Sequence, residues 1–173
     1  MSRNNIKIGV ILQGAETPFM KEVLKGIQEA CAEVDNLGGT VLVHKIEHQN
    51  AEDVILAMEK MRMEEVRGIA MVPLDEERVK REIDRFVEEF RIPVVTFTSD
   101  VEDTKRLCFV GQNGVQCGRA AAGLMGELTG GKGKVAVISG YSTNTSLSSR
   151  VVGFREEIAR KYPGIEIIGP EYC

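Results

Sequence analysis

Polar side chains that can both donate and accept hydrogen bonds cluster in five short segments of this 173-residue chain. The segments are 13–19, 73–75, 98–103, 112–113 and 140–150. The last of them, GYSTNTSLSSR, carries seven Ser, Thr or Asn side chains and ends in Arg150. Hydroxyl and amide groups can each pair with a ligand hydroxyl, and an Arg or Asp can fix its orientation through two bonds at once. This chemistry favours a neutral, polyhydroxylated ligand.

Three patterns that could support phosphate, metal or acid–base chemistry are incomplete. GELTGGKG, residues 126–133, has Gly133 where a phosphate-binding loop needs Ser or Thr, and it follows a predicted helix instead of a strand. His44 and His48 have no third metal ligand nearby in the sequence. The aspartates of the polar segments have no His or Lys partner in the same loops. We therefore expect no enzymatic activity, no metal and no cofactor.

Seven short apolar segments alternate with amphipathic ones. The apolar segments, predicted as strands, are 6–12, 40–46, 68–72, 93–97, 107–110, 134–138 and 165–168. The segments between them have helical spacing, with Pro18 at the first position of one helix and Asn50 as the cap of the next. The last two predicted helices cover about 115–128 and 148–161. Apolar strands separated by amphipathic helices indicate a doubly wound α/β sandwich with a parallel sheet. Such sheets bind ligands at the carboxyl ends of their strands, which is where the polar segments lie.

Composition narrows the class of protein. The chain has 26 acidic and 22 basic side chains and a net charge of −4, which argues against direct contact with nucleic acid. No apolar run approaches the roughly 20 residues of a membrane-spanning helix. The four cysteines form no C-x-x-C pair, and Cys31 and Cys108 lie in apolar patterns that predict burial. Together with residues 1–7, which lack the apolar stretch of a secretory signal, the unpaired thiols predict a cytoplasmic protein without membrane contact.

Four segments occur in an order that resembles a known family. They are the first strand with its TPFM sequel, VVTFTSD, FVGQNGVQCGRAAAGLM and SSRVVGFREEI. In this order they resemble the type I periplasmic-binding-protein fold, and in particular the sugar-binding proteins of ABC transporters and the effector-binding domains of LacI-type transcription regulators. The resemblance covers residues 6–170. It implies a two-lobed clamp that closes on a small solute, usually a sugar, with an N-terminal lobe over 1–112 and part of a C-terminal lobe over 113–173.

The resemblance implies ligand contacts in the loop after the first strand. Gln13 opens this polar segment and is a candidate ligand residue because it lies at the carboxyl end of a strand. Thr17 and Phe19 match the positions of a polar contact and an aromatic wall. Met20 stands where sugar-binding members often carry a second aromatic side chain. We therefore expect all four side chains to take part in ligand binding.

Two further segments match ligand positions of the family. Thr98 and Ser99 correspond to a pair that is often Asp or Asn followed by a polar or basic residue. Because Thr98 is not a carboxylate, Asp100 is the candidate to replace it. Arg150, three residues before Gly153, matches an Arg that reaches the ligand from the second lobe.

Length separates this chain from the family that it resembles. Family domains cross between their lobes three times, whereas this chain ends soon after its first predicted crossing, near Asn113. We therefore expect a truncated protein with a nearly complete first lobe and a partial second lobe. A lobe of about 60 residues is marginal alone, and unpaired sheet edges favour a homodimer or strand exchange.

Three hypotheses of function remain open. The first is the effector-sensing part of a bacterial transcription regulator, in which sugar binding biases lobe closure and a dimer passes that bias to a DNA-binding segment. The second is the solute-binding component of a sugar ABC transporter, which would be a periplasmic or extracellular lipoprotein. The third is an α/β enzyme that uses Asp75 or Asp100. The unpaired cysteines and the sequence of residues 1–7 favour the first.

Overall fold

Two units follow one another along the chain, residues 1–110 and 111–173, and the computed structural model describes residues 6–140 and 144–172. The first unit consists of β1 Lys7–Gln13, α1 Pro18–Asn36, β2 Thr40–Ile46, α2 Ala51–Met63, β3 Ile69–Met71, α3 Glu77–Glu88, β4 Val94–Phe97 and β5 Cys108–Val110. Its strands form one parallel sheet in the order β2-β1-β3-β4-β5. The predicted α/β class is confirmed, and each predicted strand of this unit begins and ends within one residue of the observed one.

Side-chain alternation along β1 places its apolar residues in two separate clusters. Ile11 packs with apolar residues of α2 and α3, whereas Val10 and Leu12 pack with Met20 of α1. Since successive strand residues point to opposite faces of a sheet, α2 and α3 cover one face and α1 lies on the other. Both faces of β1 are therefore buried, which explains why its sequence is an almost continuous apolar run.

Asn50 begins α2 as predicted. Its side-chain Oδ1 accepts a hydrogen bond from the Asp53 amide at 2.8 Å, which satisfies one of the amides left free at the start of a helix. Beyond the cap, Val54, Met58 and Met61 lie at helical spacing and are buried in the apolar cluster that contains Ile11.

We expect Asn50→Ala to lower the free energy of unfolding by about 1 kcal/mol, because α2 would then begin with an unpaired amide. Gln49→Ala is the matched control, since Gln49 is exposed and precedes the helix. Urea denaturation followed by circular dichroism measures both variants. Equal stabilities of the two variants would contradict the role assigned to the cap.

The predicted burial of two cysteines is wrong. Cys108 is exposed on β5, the edge strand at which the sheet ends, and Cys31 is only half-buried on α1. Of the apolar residues at helical spacing on α1, Val23, Ile27 and Val34 are likewise half-buried, Phe19 and Ala30 are exposed, and Met20 is the residue that is fully buried. An apolar pattern identifies the side that faces the sheet, but the depth of burial depends on the neighbouring elements.

The second unit consists of α4 Gly114–Thr129, β6 Lys132–Ser139, α5 Thr145–Lys161 and β7 Gly164–Tyr172. The two strands are parallel and form a sheet of their own. Its core is a small apolar cluster of Ala122, Val135, Phe154, Ile158 and Ile165. Phe154 and Ile158 lie one turn apart on α5 and therefore face the sheet together.

Glycines let α4 and α5 approach until their backbones touch. A Cβ atom placed on Gly118 would lie 2.0 Å from the carbonyl oxygen of Arg150. A Cβ atom on Gly153 would lie 2.0 Å from the carbonyl oxygen of Val115. A Cβ on Gly114 would lie 2.0 Å from the Ser149 hydroxyl. These separations are far below van der Waals contact, so the crossing admits no side chain at these positions.

Helix α5 begins three residues earlier than the sequence predicted. Asn144 caps it by accepting a hydrogen bond from the Ser146 amide at 3.0 Å. Ser149, which belongs both to the polar segment 140–150 and to the predicted helix 148–161, lies inside the helix and donates its hydroxyl to the Thr145 carbonyl at 2.6 Å. Serine is more frequent in loops than in helices, but it is accommodated in a helix when its hydroxyl bonds back to the preceding turn.

Candidate functional site

The order of strands in the first sheet determines where a ligand can bind. β2 lies on one side of β1 and β3 on the other, so the chain reverses its direction of winding between β1 and β3. Open parallel sheets bind ligands beyond the carboxyl ends of the strands at such a point. The polar segments that follow β1, β3 and β4 all lie at this edge. It is the candidate functional site of the first unit.

Gln13 joins the ends of the two central strands. Its Nε2 donates to the Val72 carbonyl at 2.6 Å, and the side chain is buried. This bond sets the orientation of the amide, because the reverse orientation would place two oxygens against each other. Oε1 is then the free acceptor, and it has no partner among the described residues.

Thr17 and Met20, both predicted as ligand contacts, have structural roles. The Thr17 hydroxyl caps α1, donating to the Gly14 carbonyl at 3.0 Å and accepting from the Met20 amide at 3.3 Å. Met20 is packed in the core between α1 and β1. Phe19, the residue between them, is 65% exposed. Successive residues of an α-helix are rotated by about 100° around its axis, so Phe19 points outward when Met20 is buried.

The turn after β4 is strained. Thr98 has a φ of 60°, in the left-handed region that costs a β-branched residue about 1–3 kcal/mol. Its amide donates to the Val110 carbonyl at 3.1 Å, and the Ser99 amide donates to the Phe97 carbonyl at 2.7 Å. Ser99 is buried and Thr98 half-buried. Strain of this kind persists only where the surroundings hold it, and it is common at ligand sites.

Asp100 is held by an arginine that the sequence analysis did not include. Arg106 donates Nε to Oδ1 and Nη2 to Oδ2, both at 2.5 Å, and the Thr96 hydroxyl donates to Oδ1 at 2.7 Å. Burial raises the pKa of the Asp100 carboxyl, but the bonds from Arg106, Thr96 and the Val101 amide outweigh burial and hold that pKa below its ordinary value. These four donors occupy the four lone-pair positions of a carboxylate.

The lowered pKa of Asp100 gives a prediction for stability. At pH 7 we expect Asp100→Asn to lower the free energy of unfolding by about 1–2 kcal/mol, because the bonds from Arg106 lose their ionic partner. A carboxyl whose pKa is lower in the folded state stabilises fully above its unfolded pKa of about 3.9 and loses that contribution as the pH falls below it. The difference in the free energy of unfolding between wild type and Asp100→Asn should therefore become smaller below pH 4. Urea denaturation at pH 7, 5 and 3 measures it, and a constant difference would contradict the assignment.

Asp75, at the end of β3, also has a partner. Lys80 of α3 lies 2.8 Å from Asp75, and this hydrogen bond raises the pKa of Lys80 above its ordinary value. Lys80 belongs to the following helix and not to the loop, so no lysine partner of Asp75 is apparent from the loop sequence. Both carboxylates are thus neutralised by cations of the same unit.

Arg150, the predicted ligand residue of the second unit, bonds to three acceptors. Its Nη1 donates to the carbonyl and to the hydroxyl of Ser146, at 2.9 and 3.0 Å, and its Nη2 donates to Gln112 Oε1 at 3.1 Å. Gln112 and Asn113 formed the predicted polar segment at the start of α4, and Asn113 caps that helix by accepting from the Gln116 amide. Residues 141–143 of segment 140–150 lie outside the described residues.

The structure places six predicted site residues at the carboxyl edge of the first sheet. They are Gln13, Thr17, Phe19, Thr98, Ser99 and Asp100. Met20 lies beneath this edge in the core, and Arg150 lies in the second unit. Within residues 6–140 and 144–172, no group of three or more His, Cys, Asp or Glu side chains could hold a metal ion. No described helix is long and apolar enough to span a membrane.

The profile of the family described as periplasmic binding protein domain matches residues 8–173. A search of curated protein sequences finds no match. Solved structures are similar to most of the chain. An ABC transporter solute-binding protein from Burkholderia graminis in complex with D-arabinose is 26% identical, with a TM-score of 0.88 over 99% of this chain and 57% of that one.

Two further solved structures are similar. A solute-binding protein from Agrobacterium vitis with bound D-fucose is 26% identical, with a TM-score of 0.84 over 96% of this chain and 57% of that one. A structure assigned to the LacI transcriptional regulators, from Bacteroides fragilis, is 20% identical, with a TM-score of 0.85 over 98% and 61%. The latter likeness concerns the fold alone. This chain therefore spans about 60% of the length of the solved proteins that it matches.

Proposed function

Because this chain belongs to the periplasmic binding protein domain family, we propose that it binds a neutral sugar at the carboxyl edge of its first sheet. The observation that carries the proposal is the internal pairing of charge at this edge. Asp75 bonds to Lys80 and Asp100 to Arg106, so neither carboxylate needs a cationic ligand and neither cation is left to attract an anionic one. Hydroxyl groups of a neutral ligand suit the remaining polar atoms.

The exposed ring of Phe19 favours a sugar as the ligand over a solute that has polar groups only. This ring is 65% exposed at the start of α1, beside the polar loop that follows β1. Small-molecule sites combine apolar or aromatic surface with a few oriented polar groups. A sugar offers both chemistries, since its C–H groups can lie against the ring while its hydroxyls form hydrogen bonds. The sugars bound by similar proteins, D-arabinose and D-fucose, are neutral.

Thermal unfolding in the presence of sugars tests the proposal. We expect at least one neutral monosaccharide, with D-arabinose and D-fucose tried first, to raise the Tm of the full chain. At 100 times its Kd a ligand adds about 2.7 kcal/mol of stability. D-Galacturonate, which adds a carboxylate to a sugar ring, is the matched control and should give no shift. A shift with the acid alone, or with no neutral sugar, would contradict the proposal.

The domain family is one of binding proteins, and we propose that this chain releases its ligand unchanged. Mass spectrometry of the sugar recovered after prolonged incubation would detect conversion. Any turnover that is lost in Asp75→Asn or Asp100→Asn would favour the third hypothesis, an α/β enzyme.

Two roles are compatible with sugar binding. We propose an effector-sensing role in transcription, as the sequence analysis favoured, with the solute-binding component of a transporter as the second candidate. The second candidate is supported by the similar structures of at least 25% identity, which include transporter solute-binding proteins. The regulator is supported by the free thiols of Cys31, Cys108 and Cys117, which are typical of a reducing compartment.

Deletion of the gene distinguishes the two roles. Loss of uptake of the radiolabelled sugar, with unchanged transcripts, identifies a transporter component. Altered transcription that no longer responds to the sugar identifies a regulator. The same strains would decide location, since fractionation places a regulator in the cytoplasm and a solute-binding protein outside the inner membrane.

The predicted lobes, 1–112 and 113–173, and the predicted homodimer are part of this proposal. The dimer follows from the free edges of the two sheets, because exposed backbone groups of an edge strand can pair with a second chain. Sedimentation equilibrium of the full chain, with and without sugar, measures the oligomeric state. A monomer at all concentrations would rule out the dimer without affecting sugar binding.

A further inference from the structure

We propose that Arg106 is a positioning residue of the sugar site, which acts through Asp100 to hold the turn at Thr98 in its strained conformation. This inference rests on the proposed function, since it assigns a role toward the same site. Nothing in the sequence pattern of the family segments pointed to Arg106.

The Asp100–Arg106 pair spans the loop between β4 and β5. Asp100 lies three residues beyond the end of β4, and Arg106 lies two residues before β5 begins. The two parallel bonds of 2.5 Å hold the side chains in one relative orientation, and both side chains are about one-fifth exposed. A planar guanidinium that binds both carboxylate oxygens fixes geometry more strictly than a single bond does.

The rest of the loop is attached at both ends, and two of its residues have a positive φ, Thr98 and Asp103. The Leu107 amide donates to the Val94 carbonyl at 2.7 Å, and Val101 is fully buried in the core. The Thr98 amide is bonded to β5, yet Thr98 keeps a φ of 60° that a threonine rarely adopts. Asp100 follows Thr98 by two residues, so a fixed carboxylate limits how far the turn can relax.

The saturation of Asp100 decides between two roles for this carboxylate. With donors from Arg106, Thr96 and Val101 it has no lone pair directed at a ligand hydroxyl. It therefore serves the site by positioning Thr98, a half-buried residue whose side chain carries a hydroxyl that could pair with a sugar hydroxyl. Loss of Arg106 would release both the carboxylate and the turn.

The test compares three variants of the full chain. Arg106→Gln removes the positive charge and the paired hydrogen bonds to Asp100, whereas Arg106→Lys keeps the charge. Arg85→Gln is the matched control, because it breaks arginine–carboxylate bonds to Glu59 and Glu82 on the helices of the same unit. Two quantities are measured for each variant. They are the backbone chemical shifts of Thr98, which report the sign of its φ, and the Kd for D-fucose or D-arabinose from calorimetry.

We expect Arg106→Gln to abolish the positive-φ shifts of Thr98 and to raise the Kd about tenfold, a coupling typical of residues in one hydrogen-bond network. Arg106→Lys should restore part of the Thr98 shifts and part of the affinity. Arg85→Gln should lower the Tm but leave the Thr98 shifts and the Kd unchanged. Retention of the Thr98 shifts in Arg106→Gln would overturn the inference, as would an equal rise of the Kd in Arg85→Gln.

The failure of the inference and the failure of the proposed function can be told apart. If no sugar binds to the wild-type chain, the proposed function fails, and the shifts of Thr98 still decide whether Arg106 holds the turn. If sugars bind equally well to wild type and Arg106→Gln, the proposed function stands and the positioning role is overturned. If Arg106→Gln does not fold, Arg106→Lys decides by the same two measurements.

Discussion

Gly118→Ala is expected to destabilise the second unit by about 3 kcal/mol or more, although alanine is the better helix former. The added Cβ would lie 2.0 Å from the carbonyl oxygen of Arg150 and 2.7 Å from the amide nitrogen of Phe154. Both are backbone atoms, so no side-chain rotation relieves the overlap. The helices α4 and α5 would have to separate, which would open the small core that contains Phe154 and Ile158.

Gly123→Ala is the matched control for this prediction. Gly123 lies on the same helix, but a Cβ at this position has no neighbour within 4 Å. Its replacement should therefore stabilise the chain by up to about 1 kcal/mol through helix propensity. The chain has no Trp and its three Tyr all lie in the second unit, so tyrosine fluorescence during urea denaturation follows that unit. A stabilising effect of Gly118→Ala would contradict the close backbone contact.

The family resemblance implies a ligand contact from Arg150, and Arg150→Ala is therefore expected to weaken sugar binding by about 1.5–3 kcal/mol, the usual contribution of hydrogen bonds to a charged group. This corresponds to a rise in Kd of roughly tenfold to more than a hundredfold. The guanidinium is oriented before any ligand arrives, since it donates to Ser146 on its own helix and to Gln112. An oriented donor loses little conformational entropy on binding, which favours a large effect.

Arg155→Ala controls for the loss of an arginine from α5. Arg155 lies on the same helix and donates to the Gly169 carbonyl, so its replacement also removes a bond within the second unit. We expect a lower Tm with an unchanged Kd. Calorimetric titration of both variants with the sugar of largest thermal shift measures the difference. Unchanged affinity of Arg150→Ala would contradict the ligand contact that the resemblance implies for this residue.

The sheet could be predicted from the sequence because its signal is local. The strands β1, β3 and β4 are short runs that contribute apolar residues to the clusters on both faces of the sheet, and such runs end where polar residues begin. The cap Asn50 and the first helical residue Pro18 were predictable for the same reason, since one residue type at one position marks the start of a helix.

The partners of the site residues could not be predicted from local patterns. Arg106 bonds to Asp100 because the loop between them folds back, and Lys80 reaches Asp75 from the following helix. Phe19 and Met20 are adjacent in sequence, and only the direction of α1 over the sheet decides which one is buried. The hydroxyls of Thr145 and Ser146 indicated a loop, whereas Asn144 makes these residues part of the first turn of a helix.

The pairing of charges within the first unit could not be inferred from composition. The net charge of −4 describes the whole chain and does not say which carboxylates are neutralised. The structure shows that Asp75 and Asp100 each bond to a cation close to the carboxyl edge. Charge therefore argues for a neutral ligand only once the partners are known.

Titration of the ¹⁵N-labelled chain with the neutral sugar that gives the largest thermal shift tests the central claim most directly. The account predicts saturable changes in the amide signals of the loops that follow β1, β3 and β4, with Phe19 and Thr98 among those that move most. The outer faces of α2 and α3 should show no change. Signals that stay unmoved at saturating sugar, or that change only on those outer faces, would contradict a sugar site at the carboxyl edge of the first sheet.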